Sequence, residues 1–253
     1  MRFSANLGFL WRELPLPAAI RAAADAGFDA VECHWPYGAP TDDVTAALAE
    51  SDLPMLSLNT SLGNVAAGDH GLAALPSREI EARAAIDQAL AYAHSINAES
   101  VHVLAGRTDD GAAHATFIAN LSYATTVAAD RSITVLIEPL NAHDAPGYFL
   151  NSVAQACAII DEVSAPNLKL MFDCYHVGRT ERDVIKTLHE ALPVIGHIQF
   201  AAVPDRGVPD HGDVDYRDVF AELDTLGWDR PLGAEYRPSG ATEDSLGWMK
   251  GLR

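Results

Sequence analysis

Four apolar runs in the second half of the chain end on oxygen-bearing side chains: Val135-Leu-Ile-Glu138, Leu170-Met-Phe-Asp173, Gly196-His-Ile-Gln199 and Gly233-Ala-Glu235. A single acid at the end of an apolar run is commonly a cap or a salt-bridge partner. Four in succession suggest a shared site. Three carboxylates gathered in a partly buried place cannot all stay ionised without a compensating cation. The set Glu138, Asp173, Gln199 and Glu235 is all oxygen, which suits one Mg²⁺ or Mn²⁺ over Zn²⁺.

Such a site requires the four run ends to converge. Adjacent strands lie ~4.8 Å apart, so neighbouring strand ends in a closed barrel can meet at one point. The rest of the chain supplies the barrel. Strands are predicted at 3–7, 28–32, 54–58, 100–104, 134–138, 168–173, 195–199 and 232–235. Helices are predicted at 16–26, 42–51, 77–96, 112–129, 152–163, 181–192 and 216–226, with a short closing helix from about 242. Ser77 reads as an N-cap. Eight strand–helix units, with short apolar strands, indicate an α/β chain folded as one (β/α)₈ barrel domain over residues 1–253. The competing fold is an open doubly wound sheet. That fold usually opens on a glycine-rich turn, whereas strand one here runs into Gly8-Phe-Leu-Trp11.

Composition narrows the function. The chain has 253 residues, with 35 acids against 17 bases and a net charge of −18. The bases are scattered, so general nucleic-acid binding is not expected. The apolar runs fall short of the ~20 residues that span a bilayer, so no membrane partner is expected. Cys33, Cys157 and Cys174 are odd in number and far apart, with no disulfide framework or CxxC pair. No signal-peptide pattern opens the chain, and a cytoplasmic setting is the expectation.

Ile137-Glu-Pro-Leu-Asn141, Pro146-Gly-Tyr-Phe-Leu-Asn151, Ala165-Pro-Asn-Leu-Lys-Leu-Met-Phe-Asp-Cys-Tyr-His176, Ile195-Gly-His-Ile-Gln199 and Glu235-Tyr-Arg-Pro resemble hydroxypyruvate isomerases and the related 2-oxo-tetronate isomerases. Arg2-Phe-Ser-Ala-Asn-Leu7, Ala66-Ala-Gly-Asp-His-Gly71 and Ser245-Leu-Gly-Trp-Met249 extend the resemblance over essentially the whole chain. That family belongs to the xylose-isomerase-like barrels. The resemblance implies a metal held at Glu138, Asp173, Gln199 and Glu235, with Glu138 and Glu235 carrying a proton between substrate carbons. It also implies that His176 points at substrate oxygens. Moving a carbonyl from C2 to C1 passes through an enediolate, which a metal stabilises as a Lewis acid and two flanking carboxylates serve as base and acid.

Arg206 and Arg237 are candidates to grip a substrate carboxylate, since guanidinium forks match carboxylates. His102 is a candidate substrate-binding residue, and both it and His197 are candidates to support the site or pack in the core. Arg107 and Arg237 stand where the family often has Lys. Phe9, Trp11, Trp35 and Tyr37 belong at the barrel mouth, and residues 203–215 form a candidate lid. Two departures leave the exact substrate open: Asn59-Thr-Ser61 stands where the family has His-Asn-Leu, and Phe200-Ala-Ala202 where it continues Ile-Ala and a polar residue. The expected partner is a small hydroxy-carbonyl acid or sugar, with a homo-oligomer allowed. The alternatives are a ketose 3-epimerase of the same superfamily, a non-catalytic sugar-acid-binding barrel, and an endonuclease IV-like repair enzyme. The charge and the oxygen-only ligand set oppose the repair enzyme.

Overall fold

A computed structural model describes residues 1–252. Its eight parallel strands are β1 (Phe3–Asn6), β2 (Ala30–Glu32), β3 (Ser57–Asn59), β4 (Ser100–His102), β5 (Thr134–Ile137), β6 (Leu168–Asp173), β7 (Ile195–Phe200) and β8 (Leu232–Ala234). They pair in the order β2-β1-β8-β7-β6-β5-β4-β3. A parallel bridge between Val31 and Met55 joins the two ends, helped by Cys33 N donating to Ser57 O at 3.0 Å. The sheet is therefore a (β/α)₈ barrel.

The outer layer is α1 (Leu16–Asp25), α2 (Thr41–Ser51), α3 (Glu79–Ser95), α4 (Ala113–Ala129), α5 (Val153–Val163), α6 (Cys174–Thr180), α7 (Val184–Ala191), α8 (Tyr216–Thr225) and α9 (Met249–Leu252). Two details differ from the sequence reading. The residues between β6 and β7 form two helices, so His176 sits on α6 rather than in a loop. Asp173 starts α6 by accepting from Tyr175 N at 2.8 Å, a capping bond that the strand-end reading of this acid hides. Ser77 does not cap α3. Its φ is +67°, and its own N–H donates to the Glu79 side chain at 3.1 Å, so the helix opens two residues later.

Strand alternation sorts the residues. The outward faces of β1 and β7 place Phe3 and Phe200 against Phe220 of α8 and Trp248, with ring centroids 4.9–5.8 Å apart. Each buried Phe contributes about 1.5–3 kcal/mol, which clamps the helices to the wall. The inward faces of β1, β2 and β7 carry polar groups: Ser4 and Asn6 on β1, Glu32 on β2, and His197 and Gln199 on β7 are all buried. The β6–β7 register pairs Asp173 with Gln199, bringing two of the oxygen-bearing ends level.

Loops after β3, β4 and β5 are stitched together above the barrel. Gly71 bridges Ala105, and Arg107 bridges Tyr148. Gly71 and Gly106 have φ of +104° and +103°, and a Cβ on Gly106 would meet Gly71 O at 2.6 Å. Only glycine permits that back-to-back approach.

Candidate active site

Asp173 and Gln199 lie within β6 and β7, and Glu138 and Glu235 follow β5 and β8 by one residue, all four side chains buried at the C-terminal mouth. The Arg206 guanidinium joins two of them. Its Nη2 lies 2.5 Å from Glu235 Oε2 and 3.5 Å from Asp173 Oδ2. Arg206 is itself buried, between the rings of Phe9 at 4.8 Å and Tyr175 at 4.9 Å. Its backbone is left-handed, with φ of +59°, an uncommon conformation for a non-glycine residue. Arg237 is different. Its side chain is exposed over Phe9 at 5.7 Å, and it is the Arg237 N–H that bonds Arg206 O at 2.8 Å. The structure brings Arg206 into the cluster and leaves Arg237 at its rim.

His176 Nε2 lies 3.6 Å from Asp173 Oδ2 and 3.8 Å from Glu138 Oε1. Ligand atoms of Glu138, Asp173 and His176 all fall within 4.8 Å of one another, a group able to hold a metal ion. The backbone N–H of Asn141 donates to His176 Nδ1 at 3.0 Å. The neutral ring therefore carries its proton on Nε2, as a donor facing the carboxylates. His102 Nδ1 sits 3.6 Å from Glu138 Oε2, while its Nε2 is buried without a partner.

The electrostatics are those of an under-compensated acidic pocket. Burial, then repulsion from Glu235 and Asp173, pushes the Glu138 carboxyl well above the ordinary range. Burial raises Asp173 to about 7 against the pull of Arg206. Burial acts on Glu235 in the same direction, but Arg206 and His34 outweigh it and hold it at about 2. Burial lowers His102 and His176 to about 3, so both rings are neutral at pH 7. Two buried oxygens, Glu138 Oε1 and Gln199 Oε1, have no hydrogen-bond partner. Buried acceptors without donors are costly, and a cation is what oxygen-only atoms of this kind can take. The residues present fit a divalent ion.

Four residues escaped the sequence reading. Glu32 ends β2 and is fully buried. It accepts from Asn6 Nδ2 and Gln199 Nε2 at 2.8 Å each and from His197 Nε2 at 2.5 Å. Asn6 Nδ2 also reaches Glu235 Oε1 at 2.9 Å, and His34 Nε2 lies 3.1 Å from the same oxygen. Asp144 accepts from Tyr175 OH at 2.7 Å and lies 3.9 Å from Arg206 Nη1. Asn6 and Glu32 end the first two apolar runs and carry the same signature as the later four. Nothing local in the sequence marks His34 or Asp144.

The polar ring at the C-terminal end of a parallel barrel is the layout of a barrel enzyme, and comparison with known proteins gives its class. Residues 20–252 match the family model "Xylose isomerase-like TIM barrel". The chain is 44% identical to a 2-oxo-tetronate isomerase of Cupriavidus necator, covering 98% of this chain and 97% of that one. It is 36% identical to a hydroxypyruvate isomerase of Escherichia coli, covering the whole of both. A crystal structure described as AP endonuclease, family 2, from Brucella melitensis superposes with a TM-score of 0.95 at 36% identity, over 100% of this chain and 99% of that one. The chain belongs to the xylose isomerase-like TIM barrel family. Within it, the chain falls among the hydroxypyruvate and 2-oxo-tetronate isomerases, and it is an isomerase of the aldose–ketose class.

Proposed function

We propose that the chain interconverts the aldehyde and ketone forms of a small hydroxy-carbonyl acid of the hydroxypyruvate/tartronate semialdehyde or 2-oxo-tetronate type. The observation that carries this is a pair of buried glutamates, Glu138 and Glu235, at strand ends three steps apart, with Asp173 on a strand between them and Arg206 bonded to Glu235 and Asp173. Two carboxyls placed this way can serve neighbouring carbons of one small substrate as base and acid.

In this reading Glu138 and Glu235 carry the proton. One removes it from the carbon beside the carbonyl, and the other serves the neighbouring carbon. Glu138, Asp173, Gln199 and Glu235 hold one Mg²⁺ or Mn²⁺. That ion, when bound, supplies Lewis-acid stabilisation of the charge that develops on the substrate oxygens. His176 donates from Nε2 to a substrate oxygen, a role its neutral ring and the Asn141 bond support. Arg206 binds the substrate carboxylate, and Phe9 and Tyr175 keep its guanidinium plane fixed. His102 steadies Glu138.

The test is incubation of the Mn²⁺-loaded protein in deuterated water with hydroxypyruvate, tartronate semialdehyde and 2-oxo-tetronates, followed by NMR. The expected result is carbonyl migration with deuterium at the carbon that receives the proton. Inversion at one carbon without carbonyl migration would identify a 3-epimerase instead. The description of the Brucella structure favours a second reading, cleavage of DNA at abasic sites. The −18 net charge opposes it, and the same preparation is expected to leave an abasic-site duplex uncut.

A further inference from the structure

We infer that Glu32 is a positioning residue that turns Gln199 so that its carbonyl oxygen, not its amide nitrogen, faces the metal centre. The inference rests on the reading above that these residues hold a divalent ion. It concerns a residue outside that ligand set.

A glutamine side chain has two nearly isosteric ends, and only the oxygen can bind a cation. Some neighbour must decide which end points inward. Here the amide Nε2 donates to Glu32 Oε1 at 2.8 Å, and Oε1 of Gln199 is left buried and without a partner. A flipped amide would set its oxygen against the Glu32 carboxylate, with two acceptors facing each other and no proton between them. The carboxylate therefore enforces the orientation. Glu32 cannot itself be a ligand in this arrangement, because both its oxygens are engaged: Oε1 by Asn6 and Gln199, Oε2 by His197.

Asn6 extends the device. Its single amide nitrogen donates both to Glu32 Oε1 and to Glu235 Oε1, at 2.8 and 2.9 Å. Its own carbonyl oxygen is fixed by Gly8 N at 2.9 Å. Glu32 thus braces two of the proposed ligands, one directly and one through Asn6.

The fold makes room for this. Glu32 stands on β2 and Gln199 on β7, with β1 and β8 between them in the sheet. The carboxylate reaches across the barrel interior through the space above Gly233 of β8. A Cβ on Gly233 would meet the Glu32 carboxylate oxygens at 2.7 and 2.8 Å and Gln199 Cγ at 2.9 Å. Glycine at that position is a requirement of the Glu32–Gln199 contact, not of a turn.

The experiment is a double-mutant cycle on Mn²⁺ affinity, measured by calorimetric titration of the chelator-treated full-length chain, with circular dichroism confirming the fold of each variant. Glu32→Gln is expected to weaken Mn²⁺ binding by about 10–100-fold, as loss of an outer partner of a ligand does. In a Gln199→Ala background the same substitution should weaken binding by less than about 3-fold, because contacts that act through one another are non-additive. Gln199→His should still bind, with preference shifted toward Co²⁺ or Zn²⁺. Glu32 would take the proton of one ring nitrogen and aim the other at the ion. That variant carries the test if Glu32→Gln does not fold.

Unchanged Mn²⁺ affinity in folded Glu32→Gln would overturn the inference. So would an equal loss in both backgrounds, or a Gln199→His chain that binds Mn²⁺, Co²⁺ and Zn²⁺ no more tightly than Gln199→Ala does. If the wild-type chain binds no divalent ion, the metal centre falls and this inference with it. If it binds Mn²⁺, and Asp173→Asn abolishes binding while Glu32→Gln has no effect, only the role of Glu32 falls.

Discussion

Glu32 and Glu138 are both buried glutamates at the C-terminal ends of barrel strands, yet they live in different chemical worlds. Glu32 receives three N–H groups within 2.8 Å. Glu138 has an oxygen with no hydrogen-bond partner, and the histidine nitrogens beside it, of His102 and His176, are 3.6 and 3.8 Å away. Glu32 is surrounded by donors, whereas Glu138 faces the neighbouring acids Glu235 and Asp173. A fully solvated-by-protein carboxylate is a fixture. One that burial and neighbouring acids push toward protonation is free to exchange a proton or accept an ion.

The largest effect that tests this contrast is on turnover. Glu138→Gln should lower kcat by about 10²–10⁴-fold, the usual worth of a positioned acid–base group. Steady-state isomerase assays with Mn²⁺ check it, and near-wild-type turnover would break the two-glutamate mechanism. Arg206→Ala should cost about 10²-fold in kcat/KM for an acid substrate, and Arg206→Lys less, because charge survives while the fork does not. An equal loss toward an uncharged ketose would show that Arg206 does not read the carboxylate.

Stability should then move in opposite directions at the two glutamates. Without metal, Glu32→Gln should destabilise by about 1–3 kcal/mol, since it leaves buried donors facing an amide. Glu138→Gln should hold or raise the melting temperature, because a neutral side chain relieves the repulsion with Asp173 and Glu235. Chemical denaturation with EDTA present measures both, and parallel losses would erase the distinction.

The pH dependence follows from the same fields. Carboxyls raised by folding, Glu138 and Asp173 (about 7), bind more protons folded than unfolded, so they make stability fall as pH rises. The histidines lowered to about 3 make it rise with pH, but only up to the unfolded value of 6.5. Above pH 6.5 the raised carboxyls act together with His211, which Asp210 and Asp205 raise, and the metal-free melting temperature should fall toward pH 8. Saturating Mn²⁺ should flatten that fall, and scanning calorimetry across the range decides. The smallest effect belongs to exposed Arg237. Its replacement by Ala should change kcat/KM by less than about 5-fold, as exposed charges contribute ~1 kcal/mol at most.

Much of this was legible in the sequence. The β6 run 168–173 was read to the residue, and the other strands to within a few residues, because buried parallel strands are short and apolar. The ends Glu138, Asp173, Gln199 and Glu235 stood out because polar residues interrupted those runs. Glu32 ends its run in the same way, but a single acid at a strand end reads equally as a cap or salt-bridge partner, and only the four later ends stand in succession. His34 and Asp144 were out of reach. They enter through loops whose paths depend on contacts between distant segments, Asn59 N to His34 O for one and the bridge stitching Arg107 to Tyr148 for the other. Arg237 follows Glu235 by two residues, beyond the end of β8 at Ala234, and its exposed side chain lies over Phe9 at the rim.

That stitching gives the entrance two unequal sides. Above β3, β4 and β5 the rim is tied from loop to loop by backbone bonds, and moving any one loop means breaking bonds to the next. Above β7 the bonds of residues 203–213 run largely within the segment itself, as from Ala202 N to Gly207 O and from Asp213 N to Val203 O. Arg237 N to Arg206 O is its backbone link to the neighbouring loop. The barrel entrance thus has one side laced loop to loop and another side held chiefly through a single side chain, the arginine bonded to Glu235 and Asp173.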